Sequence, residues 1–571
     1  MSNTGLSWPD KFYFMKTLIA RLPMKLLFIW LLVHSTNCSD PTQDMSSTPF
    51  VSNQKAGNWV DFLADLYNGP CIIVPKEGSI QDAVDQAQPG ESIYIEPGIY
   101  KEQVTINKRG LKLIGVTLNK GDEIVIQPPS AEPNSIVVAG DSSAIEIVNI
   151  QYTRKNISGG RAPVSARKEH TGLKITREEL PNNIAHYEFQ VRVGNGQFDV
   201  VKIHRVVREN KPYQPVRAQG SVFMLHGASL NFNAIFLRAG TDNMNSQTSS
   251  AIFMASNGID VWGMDFAWTL VPLETTDFTF MKDWGVVRDV DHTLAAMSVA
   301  RLIRGLTGQG LGRMNLLGYS YGVGVAYAAA GRETQQHPIL QDVKGIVAVD
   351  QVMKYSSADE SSQKSVCKAA AAIKKQMDEG VYQNNGGVVF GRFGNLATTA
   401  PGDPSPLVPG LTNFQAALFV GTNTFLTGNP PAPFWHFVGG QFTNMAPTGL
   451  RYSDPTRWIY LLKSLPPYQP QLTGYESRLC ICDEVDVAFD DHLGKISVPI
   501  LYIGAGGAFG TMGDYSSGLT KSSDITNYTV TITENDRLVD FGHGDLFIAN
   551  EAADRVWKKL HEWLISHNNH S

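Results

Sequence analysis

Met314-Asn315-Leu316-Leu317-Gly318-Tyr319-Ser320-Tyr321-Gly322-Val323-Gly324-Val325-Ala326-Tyr327-Ala328-Ala329-Ala330 is the stretch whose reading decides the fold. Met314 to Leu317 reads as a short buried strand, and Val323 to Ala330 as a helix of small residues able to pack closely on a sheet. Between them stands Gly318-x-Ser320-x-Gly322. A serine in so sharp a strand-to-helix turn holds a strained backbone, and the flanking glycines avoid clashes that a Cβ would cause. The turn lifts one hydroxyl to the edge of a sheet, which makes Ser320 the candidate nucleophile.

Working outward, apolar strands alternate with helical segments. His186 to Val193 and Phe198 to Val207 alternate polar and apolar residues around Gly194-Asn195-Gly196, the pattern of a β-hairpin. Ser221 to Leu225, Gly258 to Met264, Gly345 to Val349, Pro499 to Ile503 and Tyr528 to Ile532 read as further strands. Val286 to Leu306 reads as a helix, and the closing helix carries Val556, Trp557, Leu560, Trp563 and Leu564 on one face. Continuous apolar strands alternating with helices predict an α/β fold with a mostly parallel sheet covered on both faces.

Two loops add chemistry to the serine. Leu225-His226-Gly227-Ala228-Ser229 follows one strand, and Val539-Asp540-Phe541-Gly542-His543-Gly544-Asp545-Leu546-Phe547 lies between the last strand and the last helix. With the Ser320 turn, they make residues 183–568 resemble the α/β-hydrolase superfamily, its lipases and esterases in particular. The resemblance implies that His543 takes the Ser320 proton and returns it to the leaving group. It implies an oxyanion hole made by the backbone N–H groups of Ala228 and Tyr321, with no metal and no organic cofactor. His226 then orients its loop, and Asp545 reads as a cap on the final helix. The acid has several candidates. Most of the superfamily carries it just after the strand that here ends at Ile503, where Gly504 to Gly513 precede Asp514. Some lipases carry it one strand earlier, where Asp350 follows Val347-Ala348-Val349. Asp350 is the first choice, Asp514 the alternative, and Asp524 a further one.

Residues 355–495 form an insertion where the superfamily carries a cap. Lys368 to Met377 reads as a helix within it. Phe414, Phe419, Phe425, Phe434, Trp435, Phe437, Phe442 and Trp458 suit either an apolar acyl pocket or a small core of the cap's own. The expected function is hydrolysis of small-molecule or lipid-like carboxylic esters through an acyl-enzyme. Serine at position 320 argues against the epoxide hydrolases and dehalogenases of this fold, which use an aspartate there. Two other readings fit the same residues: a peptidase or amidase with the same triad, and a non-catalytic surface protein that contacts polysaccharide.

The 571 residues are 43% apolar and 18% charged, with a net charge of −6, which suits a packed globular protein and disfavours a nucleic-acid partner. Cys38, Cys71, Cys367, Cys480 and Cys482 are too few for a disulfide-built scaffold and form no paired Cys-x-x-Cys zinc motif. One long-range disulfide or free buried thiols fit equally. Residues 1–38 read as an export signal, with Lys16, Arg21 and Lys25 before the apolar run Leu26 to Val33. That run is too short to span a bilayer. It points to a secreted, periplasmic or cell-surface protein, and residues 39–69 read as a linker.

Residues 70–152 differ in character. A helix around Ile80, Ala83, Val84 and Ala87 precedes short apolar runs at Ile93, Val104, Leu111, Ile124, Ile136 and Ile145. Ser79 to Val84 and Pro97-Gly98-Ile99-Tyr100 resemble the start of right-handed parallel β-helix proteins of the pectin-lyase-like kind, in which the helix caps the first coil. The stretch is long enough for two or three coils. Asp82, Asp85, Glu91 and Glu102 read as solvated charges, so the module is assigned a structural or polysaccharide-contacting role.

Overall fold

The computed structural model describes residues 71–568 apart from positions 75–77, 90, 96–97, 116–123, 130–135, 139–145, 149, 151–153, 157–173, 195, 427–429, 445 and 534–535. The signal-like segment and the linker lie outside the described residues. The chain divides into two compact units between Lys174 and Ile175.

In the first unit, Ser79 caps the helix Ile80–Gln86 by accepting from the Asp82 N–H. Its Ile80, Ala83 and Val84 are buried. Successive strands then go to different sheets in rotation. Cys71–Val74, Ser92–Ile95, Lys112–Gly115 and Glu146–Val148 form one parallel sheet. Gly98–Tyr100 pairs with Ile124–Ile126, and Val104–Ile106, Ile136–Val138 and Arg154–Asn156 form a third sheet, all parallel. Ile80, Val84, Ile93, Ile95, Val104, Ile106, Leu113, Ile124 and Ile136 share one core. Glu102 is not a solvated charge: its carboxylate accepts from Ile80 N at 2.8 Å, Gln81 N at 3.1 Å and Ser79 Oγ at 3.1 Å, so it satisfies the free N–H groups of the helix start.

The second unit is built on a ten-stranded sheet. We number its main strands β1 (Lys174–Leu180), β2 (Ile184–Arg192), β3 (Val200–Lys211), β4 (Gly220–Leu225), β5 (Ile259–Asp265), β6 (Met314–Tyr319), β7 (Val343–Val349), β8 (Ile500–Ala505) and β9 (Ile525–Val530). Their spatial order is β1-β2-β3-β5-β4-β6-β7-β8-β9, and the short Gln214–Pro215 pairs beside β3. The hairpin β2–β3 is antiparallel, as is β3–β5, and β5 through β9 run parallel. Every residue of β4, β5, β6 and β8 is buried, which fits strands covered on both faces. The arrangement is an α/β-hydrolase-like fold. The last strand begins earlier than its apolar pattern suggested, at Ile525.

The strand order reverses between β4 and β6, and in open α/β sheets a ligand site lies beyond the carboxyl ends at such a point. The register sets Leu225 beside Gly318, Tyr319 beside Val349, and Val349 beside Ile503. Four strand ends therefore meet at one edge. α1 (Val286–Leu306) and α2 (Tyr321–Glu333) cover the sheet near that edge.

Between β7 and β8 the chain makes helices Glu360–Asp378, Gly386–Thr399, Asn413–Thr422, Pro455–Lys463 and Gln471–Cys482. A disulfide joins Cys367 in the first to Cys482 in the last, and Cys480 is a buried free thiol. Trp435, Trp458, Leu461 and Leu462 belong to the same apolar core as β6, β7 and β8, so the insertion has no separate core there.

The first strand was not anticipated from sequence. β1 carries Leu180 into the core and Arg177 onto Glu209, whose carboxylate also accepts from the Tyr187 hydroxyl and from Tyr213 N at 3.0 Å. A chain that begins at Lys174 keeps these contacts. A chain that begins at Asn182 loses the buried Leu180 and half of the Glu209 network. It should melt measurably lower than the chain that begins at Lys174, since about 1 kcal/mol shifts Tm by about 2–4 °C in a domain of about 150–250 residues and by less in one as large as this. Equal melting temperatures in a thermal scan would show that β1 contributes nothing.

Candidate active site

Ser320 stands between β6 and α2 with φ 53° and ψ −121°, a conformation that costs free energy for any residue with a Cβ. Its N–H donates to Val349 O at 3.0 Å, which fastens the turn to the end of β7. The two flanking glycines are sterically required. A Cβ on Gly318 would lie 2.2 Å from Gly322 O, and one on Gly322 would lie 2.5 Å from Leu225 O. The helix thus starts against the end of β4.

That end continues into His226-Gly227-Ala228-Ser229. A Cβ on Gly227 would lie 2.9 Å from Ser320 Cβ, so this loop runs directly beside the serine. His226 Nδ1–H donates to Gly227 O at 2.9 Å, and its Nε2 accepts from Phe266 N at 3.4 Å. Burial pushes its pKa down to about 4, so the ring is neutral and holds the loop. Ser229 has φ 56° and donates its N–H to Gln469 Oε1 at 3.0 Å. Neither the Ala228 N–H nor the Tyr321 N–H meets an acceptor among the described residues. Tyr321 is the first residue of α2, where no intrahelical acceptor exists. The two free N–H groups flank Ser320 from two different elements.

Asp350 follows β7 with φ 51°. Its N–H donates to Ile503 O at 2.7 Å, and its Oδ1 accepts from Ala505 N at 2.8 Å. Its Oδ2 lies 2.6 Å from His543 Nδ1. Both side chains are buried, and the carboxylate fixes the tautomer with hydrogen on Nδ1. The Tyr319 ring stacks on His543 at 4.6 Å, and its hydroxyl donates to His543 O at 3.2 Å. Among the described residues His543 Nε2 has no partner, and no hydrogen bond joins it to Ser320 Oγ. Such bonds are often long in unliganded enzymes and tighten around substrate.

The other aspartates are elsewhere. The glycine-rich loop after β8 does fold back, and the Tyr502 hydroxyl donates to Gly510 O at 2.8 Å. What it brings to His543 is Phe509, 6.4 Å away between ring centroids. Asp514 lies in the next helix, Met512–Gly518, and makes no bond to the histidine. Asp524 bonds His567 at 3.1 Å, and its carbonyl meets Ile500 N at the amino edge of the sheet. Asp545 does not cap the final helix. It accepts from Gly439 N and Gly542 N, each at 2.8 Å, and from Ser453 Oγ at 2.5 Å, clasping the histidine loop to the insertion.

Several contributors carry no sequence signal. Tyr319 is visible only as an apolar strand residue, and His436, whose carbonyl accepts from His543 N at 3.0 Å, sits far away in the chain. Asp289 on α1 accepts from the Tyr321 hydroxyl at 2.7 Å and from Trp268 Nε1 at 3.3 Å. Of the eight aromatics in the insertion, Trp435 and Phe437 approach His543, at 5.1 and 6.0 Å between centroids. Trp458 instead packs in the core and donates to Ala417 O at 2.7 Å.

Solved structures similar to this chain include a lipase candidate from Sulfolobus solfataricus, 16% identical with a TM-score of 0.47, over 70% of this chain and 99% of the other. A soluble monoglyceride lipase variant from Saccharomyces cerevisiae, in complex with a substrate analog, is 12% identical with a TM-score of 0.33, over 71% and 99%. The Cif epoxide hydrolase from Acinetobacter nosocomialis is 13% identical with a TM-score of 0.35, over 67% and 90%. At such identities and scores these likenesses carry no substrate or site residue to this chain. No protein-family model and no curated protein matches it.

The carboxyl beneath Tyr321 sets a pH test. Burial pushes Asp289 up from 3.8 to about 6. Between those values the folded state binds more protons than the unfolded chain, so stability falls as pH rises through the window and levels above it. Asp289→Asn keeps an acceptor for Tyr321 and removes the titration. Relative to that variant, the native protein should lose up to about 3 kcal/mol between pH 4 and 6, read from urea unfolding at each pH. A constant difference across the range would contradict a shifted Asp289.

Proposed function

We propose that the second unit is a serine hydrolase of carboxylic esters, with Ser320 as nucleophile, His543 as base and Asp350 as the orienting acid. The observation that carries this reading is the buried 2.6 Å contact of His543 Nδ1 with Asp350, beside a serine held at φ 53°. Ser320 Oγ attacks the ester carbonyl carbon as its proton passes to His543 Nε2. The carbonyl oxygen becomes an oxyanion between the N–H groups of Ala228 and Tyr321, each such donor typically contributing about 2.7–4 kcal/mol in the transition state. The C–O bond to the alcohol breaks, and His543 returns the proton to the departing alkoxide. Water then attacks the acyl-enzyme by the same path and releases the acid and Ser320.

Residues 355–495 act as a cap in this reading. Trp435, Phe437 and Phe509, all near the His543 ring, supply an apolar wall for the acyl part of a small-molecule or lipid-like ester. The three parallel sheets of the first unit support a short β-helix, with polysaccharide contact as its proposed role. The Cys367–Cys482 disulfide favours an oxidising compartment, in line with a secreted or cell-surface protein.

Ser320→Ala should abolish both turnover of p-nitrophenyl esters and labelling by a fluorophosphonate while the protein still folds. Undiminished turnover would overturn the serine-hydrolase reading. Asp350→Asn should lower kcat by about 10⁴-fold, because the wrong histidine tautomer then faces the serine. Asp514→Asn should leave kcat close to the native value. The opposite ranking would move the acid to Asp514.

A further inference from the structure

A second constellation lies away from the serine, on β2 and β3. In the antiparallel register Glu188 faces His204 and His186 faces Val206, so His186, Glu188 and His204 share one face of the hairpin. His186 Nε2 lies 3.0 Å from His204 Nδ1, and Glu188 Oε1 lies 3.8 Å from the same Nδ1. The two imidazole planes are only 7° apart, and Phe232 stacks on His204 at 4.5 Å. Both histidines are buried, and Glu188 is partly exposed at 24%.

The outer ring nitrogens decide what the inner ones offer. His186 Nδ1 faces Glu178 Oε2 at 3.5 Å, and His204 Nε2 faces Asp265 Oδ2 at 3.1 Å. A carboxylate only accepts, so a ring hydrogen on either outer nitrogen would face one, although His204 Nε2 completes no hydrogen bond there. In that tautomer each neutral imidazole presents a lone pair on its inner nitrogen. Two such lone pairs 3.0 Å apart would be satisfied by a bound cation, where the other tautomers would form an N–H···N bond. Metal-bound histidines carry this same outer shell, each donating its second N–H to a carboxylate.

We propose that His186 Nε2, His204 Nδ1 and Glu188 Oε1 bind one divalent transition-metal ion of the zinc class. Two imidazole nitrogens at about 2.0–2.1 Å from a tetrahedral ion stand about 3.3 Å apart, so the pair must open by a few tenths of an ångström, and the rings, which lie end to end with centroids 5.3 Å apart, must turn toward the ion. The three ligand atoms already lie within 4.8 Å of one another. Glu188 Oε1 also accepts from Asn233 Nδ2 at 3.1 Å, and Oε2 lies 3.3 Å from Lys202 Nζ, which leaves the carboxylate free to bind through one oxygen. The fourth position opens on the partly exposed Glu188 side. The ligands come from two strands, so no sequential zinc motif announces them. Asp265 extends the site inward, because its Oδ1 accepts from Phe232 N at 2.7 Å, just beyond the loop that carries Ala228. The ion therefore braces the hairpin against that loop, and the site stands whether or not the unit hydrolyses esters.

The test uses the full, untagged chain, stripped with EDTA and titrated with zinc chloride. One equivalent should bind by calorimetry, the melting temperature should rise, and cobalt(II) should give the visible bands of a tetrahedral nitrogen–oxygen site. Glu188→Gln and Glu178→Gln change partly exposed side chains, and circular dichroism checks that both variants fold. Each should weaken zinc binding by about tenfold or more. The proposal is overturned if zinc leaves the melting temperature unchanged, or if Glu188→Gln binds as tightly as the native chain. Either result would mean that the pair shares a proton and no metal.

Discussion

The crowding around Ser320 is the constraint on which the rest of the second unit depends. Gly318, Gly322 and Gly227 are each approached so closely by other atoms that a single added carbon would collide. The end of β4, the turn after β6 and the start of α2 are therefore locked together at van der Waals distance. That approach requires a parallel register with β4, β6 and β7 side by side, and it requires small residues where α2 meets the sheet. It also holds Ser320 in a backbone conformation that isolated peptides avoid. The surrounding packing offsets that strain, because the buried strands and helices cannot relax it without opening the core.

A second constraint binds distant parts of the chain to this edge. The loop carrying His543 is held by Asp350 from β7, by the His436 carbonyl from the insertion and by the ring of Tyr319. Asp545 adds a clasp from Gly542 to Gly439 and Ser453. Burial pushes Asp545 up to about 7 even though three donors point at it, a measure of how dry this junction is. The insertion is thus continuous with the hydrolase-like core. Its disulfide, which closes the first helix onto the last, constrains a segment that is already packed on the sheet.

Several buried charged groups inside the unit are fixed by partners contributed from other elements. Asp260 on β5 pairs with Arg205 on β3 and Arg304 on α1, at 2.8 and 3.2 Å. Glu333 accepts from Asp342 N and Val343 N at the start of β7, at 2.7 and 2.9 Å. Such buried ionic groups are costly to desolvate and costly to break, so they specify which elements meet as much as they stabilise the meeting. At the His186–His204 pair the proposed cation would take that part.

Much of this was legible in the sequence, because local pattern carries it. Apolar runs marked β4 through β8, helical spacing marked α1 over Val286–Leu306, and glycine placement marked the Ser320 turn. His543 was legible as the histidine between the last strand and the last helix. β1 was not: its charged residues Arg177, Glu178 and Glu179 hide a strand whose worth lies in pairing with β2. Glu102 and Asp545 read as ordinary surface or capping charges, since their partners come from residues that sequence spacing does not relate. The sequence ranked Asp350 before Asp514 and Asp524 but could not decide among them, for the same reason. All three follow or precede a strand, and only the register of β7 against β8, with the path of the loop after β9, decides which carboxylate meets His543. Local propensity and period determine which elements form; the alignment of strand ends, set by packing over the whole sheet, determines which side chains meet.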